Sequence, residues 1–114
     1  MTTPEVFQLQ AEFCQRMSNA SRLQVLNALR SGPSCVSDIA AATGIAPSAV
    51  SRHLAVLRGG GLVAAERKGQ EVVYAIVNPK VAEICDLMRS VLAEQLRLRA
   101  SVAEAFESDL SQPH

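Results

Sequence analysis

Tryptophan is absent from this 114-residue chain, and its only aromatic residues are Phe7, Phe13, Tyr74 and Phe106. So sparse a set argues against a platform that stacks the bases of a single-stranded nucleic acid. Cysteine is also scarce: Cys14, Cys35 and Cys85 are an odd number at irregular spacing. That is no disulfide framework, and it suits a reducing cytoplasm. Every apolar run is broken by Arg, Glu, Asp or Gln well before the length a membrane span needs. The opening M-T-T-P-E-V-F-Q has no basic segment ahead of an apolar core, so it does not read as a secretory signal. The expectation is a cytoplasmic protein with no membrane partner. Catalytic groupings are missing as well: there is no Ser/His/Asp set, no paired histidine ligands and no phosphate-cradling glycine loop. Gly59-Gly60-Gly61 reads as a flexible connector, because no helix follows it to hold a phosphate. An enzyme is not expected.

Net charge is the last absence. Eleven Lys and Arg balance eleven Asp and Glu, so any nucleic-acid binding has to rest on one basic face rather than on the total. The distribution supplies such a face. Between Gly44 and Gln70, Arg52, Arg58, Arg67 and Lys68 stand against Glu66 alone, a local +3; beyond Ala100 the sign reverses with Glu104, Glu107 and Asp109.

What is present is enough apolar sequence, 48% of residues, for one domain spanning 1–114. Phe7, Leu9, Phe13, Cys14 and Met17 share one side of a first helix over 5–20. Asn19 is placed to cap a second helix, in which Leu23, Leu26 and Leu29, with Val25, face a core. Gly32-Pro33 ends it. A third helix opens near Ser34 or Cys35 and stops at Thr43-Gly44, where glycine can take a positive φ. Pro47 begins a fourth, with Val50, Leu54 and Leu57 at helical spacing. Two strands follow over 62–77 around the turn Arg67-Lys68-Gly69-Gln70. Asn78-Pro79 caps a last helix over 79–106 that carries Val81, Ile84, Cys85, Met88, Val91 and Leu92 on one stripe and continues through Leu96 and Leu98. Residues 107–114 are expected to fray. The order is α-α-α-α-β-β-α, mainly helical with a small hairpin.

Two short helices over 34–58, joined through a glycine turn and followed by a hairpin, form a winged helix-turn-helix. The alanines at 40–42 keep the first of them slim enough for the second to cross it closely. The second spends Val50, Leu54 and Leu57 on the core, which directs Ser48, Ala49, Ser51, Arg52 and His53 outward near its start. Such a helix reads base edges with its N-terminal residues. Arg52 suits bidentate contact to guanine, and the serines suit base or phosphate. Arg58, Arg67, Lys68 and Gln70 are the expected flanking contacts to double-stranded DNA.

The segments N-A-S-R-L-Q-V-L-N-A-L, S-D-I-A-A-A-T-G-I-A-P-S-A-V-S-R-H-L-A-V-L-R-G-G-G-L-V and R-K-G-Q-E-V-V-Y-A-I resemble the ArsR/SmtB group of bacterial repressors over about residues 5–100. The resemblance implies a homodimeric repressor, joined through its first and last helices and released from its operator by an effector. Both terminal helices carry apolar stripes wider than a small domain needs, as partner-facing helices do. Dimer symmetry implies an inverted-repeat operator.

The effector stays open. The family's arsenic-type pattern, two cysteines flanking a valine, reads Cys35-Val36-Ser37 here, with one thiol missing. The zinc-type positions on the last helix read Asn78, Lys80, Val91 and Glu94; only Glu94 can serve, so that site is expected to be absent. Cys14 and Cys85 would approach each other if their helices pack together in the dimer. They are the leading candidates for a thiol site taking a soft metal, a metalloid, persulfide or an oxidant, with Cys35 third. The alternatives are that the thiols are buried apolar residues, that a small organic ligand is sensed instead, or that the fold serves as a protein-interaction module. Cys35 and Asp38 stand at the spacing of a capping box, with a thiol in place of the usual hydroxyl. His114 is a tail residue.

Overall fold

The computed structural model describes residues 3–112. Contacts divide the chain into two compact units, one up to Ala82 and one from Glu83 onward.

The first unit opens with α1 (Pro4–Met17), which ends three residues before the expected boundary at 20. The chain turns there because Asn19 is committed to the next helix: its Oδ1 accepts the Arg22 N–H at 3.0 Å, as the sequence suggested. Helix α2 (Ala20–Ala28) passes into a 3-10 turn, Leu29–Ser31. Gly32, at φ 135°, then turns the chain into a short strand β1 (Ser34–Cys35). Helices α3 (Val36–Thr43) and α4 (Pro47–Gly59) follow, then β2 (Val63–Lys68) and β3 (Glu71–Ile76).

Strand β1 is the element the pattern missed. Two residues cannot show alternation. They are strand because β3 offers its free edge, pairing Ser34 with Tyr74 and Cys35 with Val73. The wing is therefore a three-stranded antiparallel sheet in the order β1-β3-β2. Lys68 pairs with Glu71 across a two-residue loop. Gly69 takes φ 66° and Gln70 no positive φ, the pattern of a type II′ turn. Arg67 and Lys68 thus belong to the strand, and only Gly69 and Gln70 form the tip.

The core gathers Val25, Leu26 and Leu29 from α2 and its 3-10 turn, Ile39 from α3, Val50, Leu54 and Leu57 from α4, and Leu62 and Val63 at the start of the wing. Met17 and Val81 close it at either end of the unit. Leu23 remains half-buried. Gly44 takes φ 75° and donates its N–H to Ala40 O at 2.9 Å, the left-handed exit that glycine makes without steric cost.

Helix α5 (Lys80–Ser111) begins where Asn78 Oδ1 accepts the Lys80 N–H at 3.0 Å. It is 32 residues long, about 48 Å at the α-helical rise. The second unit consists of its course from Glu83 onward. The expected fraying from 107 is corrected: the helix runs through Ser111, because Ala105 and Leu110 continue its pattern and nothing before Pro113 breaks it. Of that expected tail, Pro113 and His114 lie outside the described residues.

Candidate DNA-binding surface

The outward side of α4 follows from what its inward side does. Val50, Leu54 and Leu57 are wholly buried. Residues about 100° apart around a helix cannot all share that side, so Ser48, Ser51 and Arg52 emerge exposed and Ala49 half-exposed. Pro47 occupies the first turn, where its missing N–H breaks no helical bond. Ser48 therefore stands in the first turn, with Ser51 one turn further on, near the positive end of the helix dipole, a setting that favours phosphate.

Thr43 holds the turn between the two helices. Its Oγ1 donates to Ile39 O at 2.8 Å and accepts the Ile45 N–H at 3.2 Å. One side chain thereby ties the end of α3 to the chain entering α4. On the wing, Arg67, Lys68 and Gln70 are exposed, and Arg58 is exposed in the last turn of α4. All lie within the first compact unit, whose +3 stretch they carry.

His53 sits half-buried on the flank of α4. Desolvation of the ring, with the Arg22 and Arg52 charges beside it, lowers its pKa below the ordinary 6.5. These causes favour its neutral, hydrogen-bonding form over the charged one.

The cysteines are differently placed. Cys14 is exposed on α1; Cys35 is half-buried at the start of α3; Cys85 is half-buried on α5. The cysteine version of a capping box does not form: Cys35 has cap geometry, but its side chain makes no cap hydrogen bond to the backbone. Its sulfur turns instead to Ser37 Oγ at 3.2 Å. Sulfur is a weak acceptor, and the neighbouring hydroxyl is within its reach. Among the described residues, no three His, Cys, Asp or Glu side chains stand together as a metal site would require. Glu94 is exposed on α5. No helix among them is long and apolar enough to cross a membrane.

Arg16 and Arg22 were overlooked in the sequence. Arg16 Nη1 donates to Val56 O at 2.6 Å, linking α1 to α4. Arg22 Nε donates to Arg16 O at 2.6 Å, and its Nη2 to Gln15 O at 3.4 Å. The signal available was the Gly59-Gly60 pair, which leaves room for a long side chain.

A helix presented from a buried seat, a tight glycine turn before it and a basic wing after it define a winged helix-turn-helix DNA-binding domain. The family described as "Bacterial regulatory protein, arsR family" matches residues 19–65. Among curated proteins, the chain is 33% identical over 105 residues to the uncharacterized HTH-type transcriptional regulator Rv0081 of Mycobacterium tuberculosis, covering 91% of this chain and 92% of that one. It is 43% identical over 76 residues to the HTH-type transcriptional regulator NmtR of the same organism, covering 67% of this chain and 63% of NmtR, so the match spans less than two thirds of NmtR. The crystal structure of Rv0081 superposes with a TM-score of 0.77, over 87% of this chain and 99% of that one. The solution structure of the homodimeric winged helix-turn-helix DNA-binding domain of Mb0332 from Mycobacterium bovis gives a TM-score of 0.73 at 35% identity, over 81% and 85% of the two chains. The chain belongs to the arsR family of bacterial regulatory proteins. It is a transcriptional regulator, not an enzyme.

Proposed function

We propose that this chain is a homodimeric repressor that reads an inverted-repeat operator with the N-terminal half of α4, steadied by the wing. The observation that carries the reading is the two-sidedness of α4: Val50, Leu54 and Leu57 wholly buried, Ser48, Ser51 and Arg52 exposed. Arg52 is the base-reading residue, and Arg58, Arg67, Lys68 and Gln70 hold the DNA backbone.

Dimerisation through α1 and α5 is supported by their exposed apolar residues. On α1 these are Val6, Phe7 and Leu9; on α5 they extend from Ile84 to Leu110. Ile84, Leu87, Met88, Val91 and Leu92 form a continuous exposed apolar strip along α5, and apolar surface of this extent is characteristic of an interface. The homodimeric state of the Mb0332 domain supports the same reading.

The effector is a thiol-reactive species acting on the cysteines. Cys14, exposed on α1, is the most accessible of the three. A cytoplasmic location suits free thiols and a DNA target.

The test is binding of the full chain to duplex DNA from upstream of its own gene, with Cys14→Ser, Cys35→Ser and Cys85→Ser compared under a soft metal, arsenite, persulfide and peroxide. Sequence-dependent binding, released by one of these and retained in one cysteine variant, supports the reading. Binding that ignores sequence overturns the repressor. Release unchanged in all three variants overturns the thiol effector.

A further inference from the structure

Helix α4 ends on two consecutive glycines whose conformation does not call for glycine. The positive-φ glycines of the chain are Gly32, Gly44, Gly61 and Gly69; Gly60 has φ −94°. What Gly59 and Gly60 provide is space. A Cβ on Gly59 would stand 3.0 Å from Arg16 Nη1; one on Gly60 would collide with Arg16 Cδ and stand 2.8 Å from Nε and 3.0 Å from Leu62 Cδ1. The glycine pair is a socket for the Arg16 side chain.

The occupant of that socket finishes the helix. The Gly60 N–H, due to bond Val56 O in a continuing helix, instead points to the Leu57 and Arg58 carbonyls. The Arg16 guanidinium takes up Val56 O at 2.6 Å. A cation at a helix C-terminus satisfies an orphan carbonyl and matches the dipole at once. Arg16 itself is anchored, since Arg22 Nε donates to its carbonyl at 2.6 Å and Asn19 Oδ1 accepts the Arg22 N–H at 3.0 Å. The end of α1, the start of α2 and the end of α4 are thereby joined through the Arg16 and Arg22 side chains.

We propose that Arg16 is a positioning residue for operator reading: seated in the Gly59-Gly60 socket, it fixes the angle at which α4 presents Ser48, Ser51 and Arg52. The inference rests on the DNA-reading role of α4 proposed above. Ser48 lies eight residues from Val56, about 12 Å along the axis, so a tilt of about 5° at the C-terminal end displaces it by about 1 Å. That is enough to spoil base contacts, while phosphate contacts, which flexible side chains make, adapt. Because α1 also carries exposed apolar residues for a partner, the same strut passes the placement of α1 on to α4.

The experiment uses the full-length chain, with Arg16→Ala, Arg16→Lys, Gly60→Ala and the Arg16→Ala/Gly60→Ala double variant. Affinity is measured for operator and for scrambled duplex, alongside thermal unfolding. Arg16→Ala is expected to lower operator affinity about tenfold, the scale of one lost charge-assisted hydrogen bond, while scrambled-duplex affinity stays at the wild-type value. Arg16→Lys, which keeps a donor and the charge, recovers part of the loss. Gly60→Ala weakens operator binding when Arg16 is present and costs much less once Arg16 is removed, because only the 3.0 Å approach to Leu62 Cδ1 then remains. Operator affinity unchanged in Arg16→Ala, equal losses on both duplexes, or full additivity of the two substitutions would overturn the proposal. A wild-type chain that does not distinguish the duplexes overturns the operator reading, and the positioning role with it. Discrimination that survives Arg16→Ala overturns the positioning role alone.

Discussion

The Cys35 sulfur lies 3.2 Å from the Ser37 hydroxyl oxygen, across the first turn of α3. Ser37 occupies the position at which a second thiol would complete a pair. The backbone is therefore arranged for two donors, and the sequence supplies one sulfur. Ser37→Cys is expected to create a dithiol that one equivalent of a monosubstituted arsenical bridges, read as a stable mass increment in the intact protein. Wild type is expected not to retain the increment at Cys35. A Ser37→Cys chain that also fails to retain it would show that the two side chains do not face each other.

His53 gives a pH prediction. Its pKa is lowered in the folded state, by desolvation first and then by Arg22 and Arg52. Folding therefore opposes protonation, and the unfolded chain binds the proton more readily. The contribution to stability is fully present above the unfolded value of 6.5 and is lost as pH falls from there toward the folded pKa. Urea unfolding between pH 8 and 5 is expected to show declining stability in wild type and a shallower decline in His53→Gln. Superimposable profiles would contradict this.

Much of the site was legible because its residues obey local rules. Asn19 and Asn78 cap helices, as short polar side chains before an apolar run do. Gly44 takes the left-handed conformation at the turn where it was expected, and Val50, Leu54 and Leu57 are buried at their helical spacing. Three features resisted. Strand β1 exists only because β3, some forty residues later, offers an edge. Arg16 reaches Val56 across forty positions, a separation no local pattern encodes. Gly59-Gly60 resembled a flexible linker because the side chain that fills the space lies elsewhere in the sequence.

Gly44 isolates a backbone effect. A Cβ there would meet nothing within 4 Å, yet the residue holds φ +75°. Gly44→Ala is expected to destabilise the fold by about 1 kcal/mol through backbone strain alone, and Gly44→Asn by less, since asparagine tolerates this region better. Equilibrium denaturation distinguishes the two. Equal losses would mean that packing, not φ, sets the cost.

The two groups of DNA-facing residues are expected to fail differently. Arg52→Ala should cost about 1–3 kcal/mol on the operator and relax preference at one base position. Arg67→Ala and Lys68→Ala, on the wing, should weaken operator and scrambled duplex alike, each lowering the salt slope by about 1. Binding isotherms at several salt concentrations read both effects. A wing variant that changes base preference would reverse the assigned roles.

DNA reading through α4 is tested most directly by one titration: the full chain against duplex from upstream of its own gene, and against a scrambled duplex of the same length, over a series of salt concentrations. The prediction is tighter binding to the first at every salt, with log affinity falling linearly with log salt on both. Equal affinity for the two duplexes, or binding indifferent to salt, would contradict a regulator that reads DNA through α4 and its basic wing.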